Sequence, residues 1–257
     1  MEVIDWIAIL GALAWTPHLI SLIRHWITKP KIRVIAPRYV SLGFTTYGSI
    51  FNLHLAFSVK NKDIVVSSLR IRLKHEHGEE KNFEWQGIKQ EVMKMRTPDG
   101  SVMPYEKHQS VLAMKLNEKD IEERFIQFQE ASFHSKKFKL ESIAVKKIAY
   151  LKGEDKYDPN VFINSEEMKD LIKYTKNEFS WKTGNYHVII ELQSPEDFIL
   201  IDNKYKFNLT PVDIEELEKN KNYIEHDYKN MLVPQSDEEY EPVNWSWRNP
   251  TLLKINI

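Results

Sequence analysis

FNLHLAFSV, residues 51–59, decides the fold class, because large apolar side chains stand at every second position of this stretch. These alternating apolar residues are Phe51, Leu53, Leu55, Phe57 and Val59. A period of two places them on one face of a β-strand, while the residues between them face the other way. The stretch therefore predicts a strand with one buried face and one wet face.

The same alternation recurs at 69–73 and at 186–192, each beside turn-forming residues. Shorter apolar runs at 125–128, 137–140 and 143–151 predict additional short strands. Several antiparallel strands with one wet face each are typical of a sandwich. We therefore expect a mainly β fold, an immunoglobulin-like antiparallel β-sandwich.

Two helical insertions are expected within this sandwich. Apolar residues at helical spacing predict a helix over 165–177, with Asn164 or Ser165 as its N-cap. A second helix is predicted to begin at Thr210, because Pro211 and Asp213 then occupy its first turn.

Composition narrows the functional class. The formal net charge of −1 argues against a dedicated nucleic-acid binder, which needs a basic face to displace counterions. The absence of cysteine excludes a disulfide scaffold and cysteine-ligated metal sites. A hydrophobic content of 42% supports a packed core.

The N-terminal segment WIAILGALAWTPHLISLI, residues 6–23, has no ionisable side chain except His18. Its length is near the lower limit for a helix that spans a bilayer. Trp6 and Trp26 would lie about 30 Å apart on such a helix and mark the two membrane interfaces. A cleaved signal peptide, an interfacial helix and a buried core helix are the alternatives. The acidic start at Glu2 and Asp5 disfavours the signal peptide.

Basic residues follow this segment, among them Arg24, Lys29 and Lys31, and acids precede it. Because positive flanks stay in the cytoplasm, we expect a single-pass protein of a bacterial inner or plasma membrane, with its N-terminus outside. The chain then divides into a membrane-anchoring helix at 1–28, a cytoplasmic β-sandwich at 29–232 and an acidic, aromatic tail at 233–257.

Small and polar residues share one face of the anchoring helix, at steps of three and four: Gly11, Ala14, His18, Ser21 and His25. Such a face favours helix–helix packing in lipid, so it predicts oligomerisation or docking to a membrane partner. The alternative is that small residues are simply common in spanning helices.

The C-terminal tail places Trp245 and Trp247 two residues apart after the acidic run at 236–241. In an extended segment the two indoles lie on one side, which indicates a strip for docking a partner. The alternative is that the tail folds back and covers an edge of the sheet.

Chemical signatures are sparse. No phosphate-binding glycine loop, HExxH or GxSxG motif is present. His75 and His77 would share one face of a strand, a spacing that some metal sites use, but the segment leads into a turn rich in charged residues, which favours an exposed polar hairpin tip. We therefore predict no catalytic residue, metal or cofactor.

The sequence thus favours a non-enzymatic interaction or adaptor module held at a membrane surface, in contact with lipid through its helix. A protein partner or a second copy is expected, and the module is then a subunit of a membrane complex. The alternative is a membrane-tethered hydrolase whose carboxylates and histidines converge only in three dimensions.

Overall fold

The computed structural model describes residues 14–20, 22–23, 27–96, 102–109, 113–233, 238 and 240–255. For 86–96 and 102–109 it describes the backbone. Residues 14–20 are helical. The predicted membrane helix lies largely outside the described residues, and among those described no helix is both long and apolar enough to cross a bilayer.

The prediction of a mainly β fold is confirmed, because strands make up most of the regular structure in the described chain. The strands are β1 (Lys31–Ile35), β2 (Ser41–Thr45), β3 (Gly48–Lys60), β4 (Ile64–Val66), β5 (Ser68–His75), β6 (Glu80–Arg96), β7 (Val102–Gln109), β8 (Met114–Leu116), β9 (Ile121–Glu130), β10 (Gly184–Gln193), β11 (Ile199–Ile201), β12 (Lys204–Leu209) and β13 (Leu253–Lys254). The predicted strands at 51–59, 69–73, 125–128 and 186–192 lie within β3, β5, β9 and β10.

All strands except β4 and β8 join one sheet of 11 strands, in the order β11-β1-β3-β9-β6-β5-β10-β12-β13, with β2 on β3 and β7 on β6. Five strands separate β1 from β12 in this order. At about 4.8 Å per strand, a flat sheet would hold them roughly 29 Å apart. The hydroxyl of Tyr205 on β12 nevertheless donates to the carbonyl of Val34 on β1 at 3.3 Å. The sheet is therefore curled.

This arrangement differs from the predicted sandwich of two antiparallel sheets. The strands form one continuous sheet, and it is mixed, because β11 pairs with β1 in parallel through Lys31 and Ile199. The immunoglobulin-like architecture is not confirmed. Alternation along a strand specifies which face is buried but not which strand lies beside it, and this accounts for the difference.

The curled sheet and the small sheet of β4 and β8 enclose the main apolar core. The predicted buried face of 51–59 lies in this core, with each of its five apolar residues at most 2% exposed. The small sheet contributes Ile64 and Leu116 to the same cluster. The opposite face of β3 is only partly wet, because His54 is exposed but Asn52 is buried.

The helices form a layer against the sheet, and most of them pack around a second apolar cluster, while Leu217 of Pro211–Lys219 packs into the main core. The helices are α1 (Ala131–Gly153), α2 (Pro159–Phe162), α3 (Glu166–Asn177), α4 (Pro211–Lys219) and α5 (Ile224–Asn230), with a 3₁₀ turn at Asn220–Tyr223 between the last two. Helix α3 confirms the predicted helix, and α4 begins at the predicted Thr210 cap with a complete capping box.

The short strands predicted at 137–140 and 143–151 are wrong, because both ranges lie in α1. No glycine or proline interrupts the chain between 131 and 152, so a helix of this length can form without a break. Phe138 and Leu140, two residues apart, imitate a strand pattern over so short a window.

The C-terminal segment lies on the sheet. Arg248 and Leu42 exchange two backbone hydrogen bonds of 2.8 and 2.9 Å, and Thr251 bridges to Tyr39. The segment ends as β13, which pairs with β12. These bonds join the end of the chain to the edges of β2 and β12.

Candidate docking groove in the helical layer

Three helices, α1, α3 and α5, form an open groove on the surface of the helical layer. Helix α1 follows β9 directly, since Glu130 ends the strand and Ala131 begins the helix. Helix α3 is set by its cap, because the Ser165 side chain accepts a hydrogen bond from the Met168 amide at 3.4 Å. These connections place α1 and α3 side by side over a second apolar cluster.

That second cluster forms the floor of the groove. It is built from buried side chains of all three helices and of α2, among them Ala144, Phe162, Leu171 and Tyr228. The small Ala144 side chain lets α1 approach the other helices closely at this point. The floor of the groove is therefore buried and apolar.

The walls of the groove are apolar and open to solvent. Its volume is about 450 Å³. Three large apolar residues on its walls are mostly exposed: Phe138 by 65%, Val145 by 61% and Met231 by 54%. Binding sites are commonly concave, mostly apolar and of a volume in this range, so the groove is a candidate site of interaction.

A buried hydroxyl pair lies in the groove floor. The hydroxyls of Tyr228 and Thr175 are 3.1 Å apart, and Thr175 also donates to the Leu171 carbonyl at 2.9 Å. The Tyr228 hydroxyl therefore donates to Thr175, and both groups are satisfied. Burial raises the pKa of Tyr228 above its ordinary value, and the bond to Thr175 opposes this only in part. Tyr228 is neutral at physiological pH.

An ion pair borders the groove. The Lys137 ammonium lies 2.8 Å from Glu141, a lining residue one turn further along α1. The same ammonium lies 4.5 Å from the centre of the Tyr47 ring. Both contacts compensate for burial of the lysine charge.

The charge of α1 is strongly positive, with six lysines against one glutamate. Four of these lysines have contacts: Lys137 with Glu141, Lys147 with Glu167 at 3.5 Å, and Lys136 and Lys152 with tyrosine rings. The exposed Lys139 and Lys146 have no ion-pair partner in the part of the chain that the structure describes. They directly follow the groove residues Phe138 and Val145.

Sequence reasoning missed this groove because it assigned α1 to strands. The usable signal was the spacing of Phe138, Ser142 and Val145, which share one face only if the segment is helical. The opposing wall comes from Met231 and Leu232, more than 80 residues later in the chain. No local pattern connects those two segments.

The predicted residues of the N-terminal helix are only partly described. Ala14 and His18 lie on the described helical turn, where the His18 ring is 6.0 Å from that of Trp15. The rest of the predicted packing face and interface lies outside the described residues: Gly11, Ser21, His25, Trp6 and Trp26. Helix packing through this face stays a prediction.

The two C-terminal tryptophans are both half-buried against the domain. The Trp245 ring lies 6.3 Å from that of Tyr223, edge to face, and packs against the helical cluster. The Trp247 ring lies on Gly43 of β2, so close that a Cβ at this position would overlap it. The structure thus places them on different neighbours, and partner docking through them stays a prediction.

The histidine pair differs from the exposed hairpin tip that the sequence favoured, because only one of the two side chains is exposed. His75 is buried, with its Nε2 3.1 Å from the Thr183 carbonyl, whereas His77 is exposed. The two rings lie 5.0 Å apart. In the described portion of the chain no group of three or more candidate ligands, these histidines included, is placed to hold a metal.

Neighbouring carboxylates serve as ion-pair and hydrogen-bond partners. The amide of Asn185 holds the pKa of Glu76 below its usual range, and Lys182 does the same for Glu79. The Glu118 backbone amide and then Lys115 lower the pKa of Asp63 in the same way. A carboxylate with a lowered pKa stays ionised at neutral pH, which suits a surface contact.

Comparison of this chain with protein-family models, with curated proteins and with solved structures finds no match.

Proposed function

We propose that this protein is a membrane-anchored, non-enzymatic interaction module whose groove docks an α-helix of a protein partner. In this proposal the N-terminal segment holds the domain at the cytoplasmic side of a membrane. The helical layer then presents the groove to a partner, as an adaptor or as a subunit of a membrane complex. The open apolar groove between α1, α3 and α5 is the observation that carries the proposal.

Exposure of the N-terminal apolar residues supports the anchor. Trp15, Leu19, Ile20, Leu22, Ile23 and Ile27 are each more than half exposed. Residues of this kind are unfavourable in water, at about 25 cal/mol per Å² of apolar surface. A bilayer is the environment in which such a segment is stable.

The shape of the groove supports a helix as its occupant. Phe138 and Val145 stand two helical turns apart on one wall, about 10.5 Å along α1. An amphipathic helix presents its own apolar residues at the same interval, so the two sets can interdigitate. A second copy of this chain is a poorer occupant, because Lys139 and Lys146 would then face identical lysines.

Site-specific photo-cross-linking in intact cells tests the proposal. A photoreactive residue at Val145 is expected to cross-link a protein other than this chain. Ile121, which is 64% exposed on β9, is the matched control and is expected to give no such adduct. Adducts with lipid alone, or equal adducts from both positions, would contradict docking in the groove.

The anchor is tested separately by membrane fractionation of the intact chain and of a chain that lacks residues 1–28. The intact chain is expected in the membrane fraction and to resist extraction with carbonate. The shortened chain is expected in the soluble fraction. Release of the intact chain by carbonate would contradict a spanning helix and favour surface attachment.

A further inference from the structure

We infer that the helix that docks in the groove is acidic: it carries carboxylates beside its apolar face, which pair with Lys139 and Lys146. This inference rests on the proposed function and specifies the chemistry of the partner. It follows from the distribution of charge on α1, from the geometry of the groove and from its position relative to the N-terminal segment.

The two lysines repeat at the interval of the groove residues. Lys139 and Lys146 are seven residues apart, as are Phe138 and Val145, so each lysine stands beside one apolar anchor. A step of one residue turns about 100° around a helix, so both lysines lie on one exposed side of α1 next to Phe138 and Val145, and we call this side the rim of the groove. A docked helix whose apolar residues and carboxylates each repeat every two turns would contact both the apolar residues and the lysines of α1.

Lys139 and Lys146 differ from the other lysines of α1 because, among the described residues, they lack a contact partner. Every other lysine of α1 contacts a carboxylate or an aromatic ring of the domain, as described above. Lys139 and Lys146 alone among them have neither within the described ranges. A cationic rim of this kind attracts an acidic partner and repels a basic one, which contributes to specificity as well as to the rate of association.

The N-terminal segment of the same chain does not fill the groove, as far as it is described. Its residues Trp15, Leu19 and Ile23 are 67%, 57% and 54% exposed, so they are not packed against another apolar surface. Phe138 and Val145 on the groove wall are exposed as well. The described part of the N-terminal segment therefore leaves the groove open.

A lipid surface fits the groove less well than a helix does. Lys31, which follows the N-terminal segment, pairs with Lys60 at one end of β3, whereas Phe133 of α1 contacts Gly48 at the other end. A strand of 13 residues spans about 40 Å, so the groove lies far along the domain from the anchor. A flat bilayer also cannot enter a concave groove whose floor is formed by Ala144.

Two synthetic amphipathic peptides test the inference. Both have the same leucine face; one carries glutamates along its flank and the other carries lysines at the same positions. The full-length chain, reconstituted in zwitterionic nanodiscs, bears a photoreactive residue at Ser142 on the groove wall, and the yield of peptide adduct is measured. Only peptide in the groove reacts, so peptide bound to lipid does not contribute.

The acidic peptide is expected to give at least about tenfold more adduct than the basic peptide at low salt. The double variant Lys139→Glu/Lys146→Glu is expected to reverse this preference. The control variant Lys173→Glu/Lys206→Glu changes two exposed lysines that do not line the groove, and it is expected to behave as the wild type. Equal thermal unfolding of all three proteins shows that the fold is intact.

The outcomes separate this inference from the proposed function. Equal adducts with both peptides, unchanged in the charge-reversed variant, would overturn the acidic partner but leave helix docking in place. If neither peptide reacts at Ser142, the proposed docking function itself fails. Binding to phosphatidylserine vesicles that disappears in the charge-reversed variant, without any preference between peptides, would replace the partner helix by a membrane surface.

Discussion

The Lys137 ammonium lies 2.8 Å from the Glu141 carboxylate, although the Lys137 side chain is only 6% exposed. A buried lysine is costly unless a carboxylate and further favourable contacts compensate for the lost water. Glu141 is 39% exposed and lines the groove, so this pair links the interior of the helical layer to the surface that we propose for docking.

Substitution of Glu141→Gln is expected to destabilise the protein, because it leaves the Lys137 charge buried without a carboxylate. The loss is about 1–2 kcal/mol, less than for a fully buried pair because Glu141 is partly exposed. Lys137→Met removes the buried charge but keeps an apolar stem, and it is expected to change stability by less than about 0.5 kcal/mol. Urea unfolding followed by tryptophan fluorescence measures both. Equal losses from both substitutions would show that the ion pair itself stabilises the fold, and would contradict the view that an uncompensated buried lysine causes the loss.

Two glycines with similar backbone angles allow the effect of backbone strain on stability to be measured separately from the effect of side-chain packing. Gly48 has φ of +78° and Gly78 has φ of +91°. A Cβ at Gly48 would lie 2.7 Å from the ring of buried Phe133, whereas a Cβ at Gly78 would meet nothing within 4 Å. Gly78→Ala is expected to cost about 1 kcal/mol from backbone strain alone, and Gly48→Ala at least twice as much.

Thermal unfolding of the two alanine variants compares them directly. The Phe133 ring cannot move away easily, since it stacks on Tyr174 with 5.4 Å between ring centres. If Gly48→Ala proved no more harmful than Gly78→Ala, the close contact between β3 and α1 would be incorrect.

The capping box at α4 is expected to stabilise the chain measurably. The Asp213 amide donates to the Thr210 hydroxyl at 3.2 Å, and the Thr210 amide donates to the Asp213 carboxylate at 2.9 Å. Thr210→Ala is expected to lower the free energy of unfolding by about 1 kcal/mol, and Thr210→Ser by much less. A loss as large for serine as for alanine would indicate that the methyl group of Thr210, not its hydroxyl, stabilises the fold.

Stability is expected to fall at alkaline pH. Burial raises the pKa of Tyr186 from 10.0 to about 12. Between these values the folded state retains a proton that the unfolded state has lost, so the free energy of unfolding decreases as the pH rises. The contribution of this tyrosine is complete below pH 10 and amounts to about 2–3 kcal/mol. Tyr174, whose pKa burial raises to about 12, acts in the same direction.

Tyr186→Phe tests this pH dependence. The variant loses the hydrogen bonds to the Lys182 amide and carbonyl, so it is expected to be less stable at pH 7 by about 1–2 kcal/mol. Its further loss of stability above pH 10 is expected to be smaller than that of the wild type. Tyr39→Phe, at a half-exposed position, is the control. Parallel pH curves for wild type and Tyr186→Phe would contradict burial of this hydroxyl.

Local sequence patterns were sufficient to predict part of the secondary structure of this protein. The alternation at 51–59 predicted both a strand and its buried face, because side chains on a strand switch sides at each residue regardless of what lies beside them. Ser165 and Thr210 predicted the starts of two helices, because a cap acts on backbone amides two or three residues away. The run at 137–151 failed as a prediction, since short apolar runs are compatible with either strand or helix.

The tertiary structure alone decided how these elements meet. Val34 and Tyr205 are 171 positions apart, and only the curl of the sheet brings the carbonyl of one to the hydroxyl of the other. The groove likewise joins Val145 to Met231, because α1 and α5 both pack against α3. The alternation of apolar residues at 51–59 was enough to determine a strand. The segments that cover its buried face are distant in the chain, and no local sequence pattern identifies them.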